Sequence, residues 1–154
     1  MFNQHQRLNS GSTLIEVLVA IVVVGLVVTG VMLSISFSIK NSAEAQYRET
    51  ASQLAQDGME IIKLRREVDP WSSFSGRSTG DYCLSSETNP ALGSAVADGS
   101  NCSAVTKLNK PFTRYVEIAS TPTIVTAAVV VEWSSDSNTA QHVRITQTFQ
   151  ERAI

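Results

Sequence analysis

The chain has 154 residues, which is enough for one ordinary domain and too few for two domains with separate cores. Its formal net charge of −2 removes the electrostatic case for nucleic acid as a partner. Two Cys and two His, with no CxxC or HExxH motif, supply no familiar zinc site, so we expect neither a metal nor a cofactor.

A candidate membrane span occupies the N-terminal region. Residues 17–39 carry no charge, and about 20 apolar residues suffice to cross a bilayer as a helix. The many valines would favour a strand in water, but lipid requires each backbone group to be satisfied within the segment, which predicts a helix. Residues 1–11 form a short polar leader, and we expect this end to face the cytoplasm.

Two simpler interpretations fit this region less well. Ala43-Glu44-Ala45 offers a small-x-small site for a secretory signal peptidase, but the apolar run is longer than the 7 to 15 residues of such signals, and Lys40 intervenes. A plain uncleaved anchor leaves Glu16 unexplained, because a carboxylate at the start of an apolar run is costly in lipid unless it is paired.

The residues from Gly11 to Ile21, read as GSTLIEVLVAI after a polar leader, resemble the processing signature of type IV pilin-like proteins. The resemblance covers about the first 40 residues. It implies that prepilin peptidase cuts after Gly11, that the new amine of Ser12 is methylated, and that Glu16 is the glutamate on which the family relies. We further expect Glu16 to govern assembly, because its carboxylate could neutralise the new amine of a neighbouring chain when the helices bundle. The family usually has phenylalanine after the cut, so Ser12 is a departure that puts efficient methylation in doubt.

Beyond the membrane, residues 40–69 turn amphipathic. Small and apolar side chains recur at spacings of three and four, which predicts one helix face that packs against an exported domain. The members of this stripe are Tyr47, Ala51, Leu54, Ala55, Gly58, Ile61, Ile62 and the stem of Arg65. Pro70 ends the pattern, because the residue before a proline avoids helical geometry.

Residues 70–111 are rich in Ser and Gly and are predicted to form a long loop. Cys83 and Cys102 could close it as a disulfide in an oxidising exterior, although free buried thiols are the alternative. Asp98-Gly99-Ser100-Asn101 could offer oxygen ligands to calcium, but it lacks EF-hand spacing, and a solvated turn is favoured.

Gly76-Arg77-Ser78-Thr79-Gly80 matches G-x-S-x-G, the pattern of a hydrolase nucleophile, and His142 follows at a distance. A nucleophile elbow needs a buried strand before the Ser and a helix after it, and the flanking residues predict neither. We therefore expect no enzyme.

Residues 112–154 read as three strands, Phe112 to Ala119, Ile124 to Trp133 and Gln141 to Gln150, in an antiparallel meander. Val125, Ala127, Val129 and Val131 share one parity and could face the helix. The predicted fold class is α+β, with a long N-terminal helix, membrane-spanning over residues 12–39, that packs its outer half on a small three-stranded sheet.

The resemblance implies a structural subunit in the inner membrane, and later in a periplasmic or cell-surface filament. Its partners would be other pilin or pseudopilin subunits, prepilin peptidase and an inner-membrane assembly platform. A minor pilin of a type IV pilus is the preferred interpretation, and a pseudopilin of a type II secretion system is the near alternative. A membrane-tethered binding module and, more remotely, a tethered hydrolase using Ser78 are the alternatives from other classes.

Overall fold

The computed structural model describes residues 10–84, 92–135 and 138–151. Its elements in chain order are α1 (Ser10–Val68), α2 (Trp71–Ser75), β1 (Gly80–Cys83), a 3-10 helix (Gly99–Asn101), β2 (Ala104–Lys107), β3 (Lys110–Ser120), β4 (Ile124–Ser134) and β5 (Ala140–Gln150). The chain divides into two compact units, Met1–Ala43 and Glu44–Ile154, and α1 contributes to both. The predicted α+β class is confirmed.

The sheet of the second unit is antiparallel, in the order β1-β3-β4-β5, with β2 also paired to β3. The predicted meander of β3, β4 and β5 is confirmed, and its registers run without a bulge. The predicted number of strands was wrong, because β1 and β2 lie inside the segment 70–111 that was expected to be a loop, as does α2. Four residues are too few to show an alternating pattern, and these two strands form because the edge of β3 offers them backbone partners.

The core of this unit lies between the second half of α1 and one face of the sheet. The predicted β4 set is fully buried there: Val125, Ala127, Val129 and Val131. The helix contributes Ala51, Leu54, Ala55, Met59 and Ile62. The predicted helix stripe is therefore right in most positions and missed Met59.

An arginine is buried inside this apolar layer. Arg114 of β3 is 1% exposed, and its Nε and Nη1 donate to the carbonyl oxygens of Leu84, at 2.9 Å, and of Leu54, at 3.2 Å. Gly58 makes room for it, since a Cβ there would lie 3.4 Å from Arg114 Cδ and only 2.8 Å from Val129 Cγ1. The helix is thereby tied to β3 and to the residue that follows β1.

Candidate processing and assembly segment

The bond predicted to be cut, between Gly11 and Ser12, lies in the first turn of α1. The helix begins at Ser10, two residues before the predicted start and inside the predicted leader. Residues 1–9 of that leader lie outside the described residues. Because the first N–H groups of a helix lack intrahelical partners, this bond is at the end that unwinds most readily.

Glu16 lies four residues beyond Ser12 on the same helix face, about 6 Å along the axis. Its side chain is exposed, and it is the only charged residue from Leu14 to Ile39. The next basic residue along the helix, Lys40, is about 36 Å away at 1.5 Å per residue, well out of reach. A cation that pairs with Glu16 must therefore come from the N-terminal side or from another molecule.

The helix around Glu16 presents apolar side chains on every face. All of its large hydrophobic residues up to Ile39 are exposed, from 47% at Val28 to 69% at Leu14 and Leu26. Among the described residues, α1 is the one helix that is long and apolar enough to cross a membrane, judged by length and composition. In water, such an apolar surface would cause aggregation. In a membrane or a helix bundle, lipid or neighbouring helices would cover it.

Two hydroxyl side chains in this stretch are satisfied by their own helix. Thr29 Oγ1 donates to the carbonyl of Gly25 at 2.7 Å, and Ser36 Oγ donates to the carbonyl of Met32 at 3.0 Å. Such bonds to the preceding turn let hydroxyl groups sit in an apolar medium without an outside partner. Glu16 differs from them, because it is charged and needs a cationic partner from outside this stretch.

The second unit carries the predicted cysteine pair on the outer face of the sheet. Cys83 of β1 and Cys102 are joined in a disulfide, with Cα atoms 5.4 Å apart. The segment thus held places Gly99 against the ring of Tyr115, so closely that a Cβ at Gly99 would overlap the ring. Burial, and then the hydrogen bond that Tyr115 donates to Glu132 at 2.9 Å, raise the pKa of the phenol.

The loop considered for calcium is a capped turn. Asp98 Oδ1 accepts bonds from Ser100 N, at 2.9 Å, and from Ser100 Oγ, at 2.7 Å, and these bonds hold the pKa of Asp98 below its usual value. In the part of the chain that the structure describes, no group of three or more His, Cys, Asp or Glu could hold a metal. These are the bonds of an N-capped 3-10 turn, with Asp98 as the cap.

Ser78 does not sit in a nucleophile elbow. It lies between helix α2 and strand β1, which is the reverse of the strand-then-helix order that an elbow requires. Its hydroxyl is 3.0 Å from the hydroxyl of Tyr82, which donates to the Ser78 carbonyl at 2.7 Å. His142 lies exposed on β5, in the strand register opposite Glu132. The contacts of Ser78 are those of a turn.

Sequence reasoning did not single out Arg114, although a signal for it was present. Arg114 has the same strand parity as Phe112, Val116 and Ile118, all of which are buried. A charged residue at an apolar position of a strand indicates a buried polar contact. The partners could not be named, because Leu54 and Leu84 are distant in sequence and offer only backbone oxygens.

Comparison with known protein families finds a match in the N-terminal segment. A family model described as the prokaryotic N-terminal methylation motif matches residues 6–32. The matched residues include Gly11, Ser12, Glu16 and residues 17–32 of the apolar stretch. No curated protein and no solved structure matches the chain.

Proposed function

We propose that this chain, which carries the type IV pilin signature at residues 6–32, is a minor pilin, a structural subunit of a type IV pilus. Prepilin peptidase cuts it after Gly11, and the inner-membrane assembly platform passes it into a filament through its apolar helix. Before assembly it spans the inner membrane once, with the N-terminus in the cytoplasm and the second unit outside.

One observation carries this proposal, the lone carboxylate of Glu16 in the otherwise uncharged and exposed part of α1 from Leu14 to Ile39, one turn beyond the Gly11–Ser12 bond. A membrane anchor needs no such group, and a lipid-facing charge without a partner is unfavourable. A binding module or a hydrolase would likewise have no use for it. A filament of bundled helices can use this carboxylate, because a neighbouring subunit can supply the cation that pairs with it.

Cleavage supplies the missing cation. Cutting after Gly11 leaves an ammonium group on Ser12, and Glu16 of a neighbouring copy neutralises it when the apolar helices bundle. Each charge then offsets the cost of removing the other from water, and removing one partner of such a buried pair costs roughly 3–5 kcal/mol. The pair thereby fixes the axial register between subunits. Methylation of Ser12 would keep this amine cationic.

A pseudopilin of a type II secretion system is the second candidate. Helix α1, as described, contains no proline, and the first proline after it is Pro70. Many major pilins carry a proline within the membrane-spanning part of this helix, so its absence supports this second candidate. The disulfide at Cys83 and Cys102 precedes the three long strands, unlike the C-terminal pair of many major pilins, and it suits either an accessory pilin or a pseudopilin.

The variant Glu16→Ala tests the assembly role. We expect it to be cleaved after Gly11 and to insert in the membrane as the wild type does, but to be lost from filaments sheared off the cells, because the neighbouring amine would stay unpaired. Glu49→Ala is the matched control, since Glu49 is an exposed glutamate of the same helix outside the apolar stretch. Filaments that contain Glu16→Ala at the wild-type level would refute the assembly role.

A further inference from the structure

The sheet of the second unit has two unlike edges. One edge ends in the short strands β1 and β2, which both pair with β3, and β1 is in turn bridged to Val96. The other edge is β5, an 11-residue strand whose pairing with β4 runs without a bulge. Among the described residues, no strand pairs with the outer side of β5.

The register shows which backbone groups of β5 point outward. Ser135 N donates to Thr139 O at 2.9 Å, so these two residues form a hydrogen-bonded pair at the start of the β4–β5 ladder. Hydrogen-bonded and non-hydrogen-bonded pairs alternate along an antiparallel ladder. The even-numbered residues of β5 therefore turn their N–H and C=O groups away from β4. Between the ends of the strand they are His142, Arg144, Thr146 and Thr148.

The hairpin before β4 gives the same assignment. Thr121 N donates to Ile124 O at 2.8 Å, so the even-numbered residues of β4 bond β3. Its odd-numbered residues are left to bond β5, and their partners in the register are the odd-numbered residues of β5. The outward set of β5 is thus fixed from both sides of β4.

β5 lacks the features that usually protect an edge strand. Natural edges are commonly short or bulged, or they carry proline, lysine or an inward-pointing charge. β5 is long and contains no proline or lysine. Its one arginine, Arg144, is turned back across β4, where Nη1 and Nη2 bond the carboxylate of Glu117 on β3 at 2.8 and 2.6 Å. The inward positions carry no charge, and they hold Gln141, Val143, Ile145, Gln147 and Phe149.

The apolar core is also incomplete at this edge. Val143 and Ile145 lie on the helix side of the sheet, opposite Val131 and Val129 of β4. The two β4 residues are fully buried, whereas Val143 and Ile145 pack against the core and stay only partly buried. A further strand beside β5 would place its own inward side chains next to them and shield them from water.

The spacing of the open backbone groups determines what can bind here. Alternate residues of a strand are about 6.8 Å apart, and each outward residue offers one donor and one acceptor. Another extended backbone presents acceptors and donors at the same repeat. A second β5 fits less well. Antiparallel self-pairing over the whole strand is centred on Ile145 and places Gln147 opposite Val143 on the core side, where a glutamine amide would lose its water.

We propose that the outer edge of β5 is a docking site for an extended segment of another protein, which joins the sheet as an added strand. Its apolar side chains would face the helix side, beside Val143 and Ile145, and its polar side chains would face outward. The inference goes beyond the proposed function and does not rest on it, because every residue involved lies in the second unit. It holds whether or not Glu16 governs assembly.

A synthetic strand tests the edge on the full-length chain in detergent. The probe is a short peptide of alternating threonine and valine with a lysine at each end. When its valines face the core, its threonine N–H groups face β5. The control peptide has N-methylated threonines, which keep the side chains and remove these donors. We expect the parent peptide to bind at least about tenfold more tightly than the control in fluorescence anisotropy.

Hydrogen exchange measured by NMR locates the bound peptide. We expect the parent peptide to slow exchange at the outward amides of β5, because these become bonded only when a strand is added. They are the amides of His142, Arg144, Thr146 and Thr148. The control peptide should leave their exchange rates unchanged.

Two variants of one residue separate strand docking from folding. Thr146→Pro removes an outward N–H that takes no part in the β4–β5 ladder, so the chain should still fold, while the ring obstructs the added strand. Thr146→Val keeps this N–H and is the matched control. We expect the parent peptide to bind Thr146→Pro at least about tenfold more weakly than the wild type, and Thr146→Val with unchanged affinity. The melting temperature checks that both variants are folded.

Three results would overturn the inference. They are equal binding of the two peptides by the wild type, equal binding of the parent peptide by folded Thr146→Pro and the wild type, and protection of amides outside the outward set. Outward amides that are protected without peptide, and more strongly at higher chain concentration, would identify a second copy of this chain as the occupant and would also overturn it. If Thr146→Pro does not fold, the two peptides and the exchange pattern of the wild type decide.

Discussion

Gly58 determines how closely α1 approaches the sheet. A side chain there would meet Val129 Cγ1 at 2.8 Å and Leu84 Cδ1 at 3.3 Å, and the stem of Arg114 passes beside it. The same gap gives the Arg114 guanidinium access to the carbonyl of Leu54, one turn earlier in the helix. One missing side chain therefore permits both the close helix–sheet packing and the buried polar link.

Gly58→Ala should destabilise the second unit. Alanine gains up to about 1 kcal/mol in helix propensity, but overpacking a core costs about 1–3 kcal/mol. Val129 is a short branched side chain on a central strand and has little freedom to move aside, so the packing cost prevails. We expect a melting temperature about 3–5 °C lower by near-ultraviolet circular dichroism.

The matched control for this substitution is Gly25→Ala. Gly25 lies in the same helix, and a Cβ there would meet nothing within 4 Å. It should leave the melting temperature of the second unit unchanged. A melting temperature for Gly58→Ala at or above that of the wild type would show that the helix does not pack against β4 as described.

Tyr115 should make stability fall at high pH. Its pKa in the folded chain is raised above the ordinary value of about 10, chiefly by burial and then by its bond to Glu132. The folded state thus favours the neutral phenol, so this stabilisation is complete below about pH 10 and is lost as the pH rises further, when the unfolded chain releases the proton first. Tyr115→Phe should show a shallower decline in melting temperature from about pH 9 to 11, and equal slopes would contradict the assignment.

Among the elements, those whose own sequence carries a period could be predicted and those that depend on a distant partner could not. In β4, apolar residues at alternate positions predict the buried face. In α1, apolar residues at spacings of three and four do so. β1 and β2 carry no such pattern, because each is four residues long and is a strand only through its pairing with β3. The 3-10 helix that covers Tyr115 is likewise held by distant partners, since the disulfide joins its flank to β1 and Gly99 N donates to Asp81 Oδ2 at 2.9 Å.

The disulfide between Cys83 and Cys102 should contribute measurably to the stability of the second unit. It spans 19 residues and ties the covering segment to β1, and closing a loop of this size is worth about 3 kcal/mol in the chain-entropy account. Replacing both cysteines with alanine should lower the free energy of unfolding by that order in guanidinium titrations. Reduction of the wild type should cause a similar loss. An unchanged unfolding midpoint in both experiments would contradict this contribution.

At the scale of the whole molecule, the chain combines two units suited to different surroundings. The first, within its described residues, exposes apolar side chains all round and one carboxylate, while the second buries an ordinary core between helix and sheet. The candidate site could be predicted because Gly11, Ser12 and Glu16 are neighbours in sequence, so their chemistry is local. The contacts of Arg114 could not, because they join segments that only folding brings together.

The most direct measurement is the intact mass of the membrane-extracted chain, produced with and without prepilin peptidase. Without the enzyme, we expect a full-length chain beginning at Met1. With the enzyme, we expect a species that lacks residues 1 to 11 and begins at Ser12, with or without one methyl group. A chain that retains Met1 when the peptidase is active, or is cut anywhere other than after Gly11, would contradict the account.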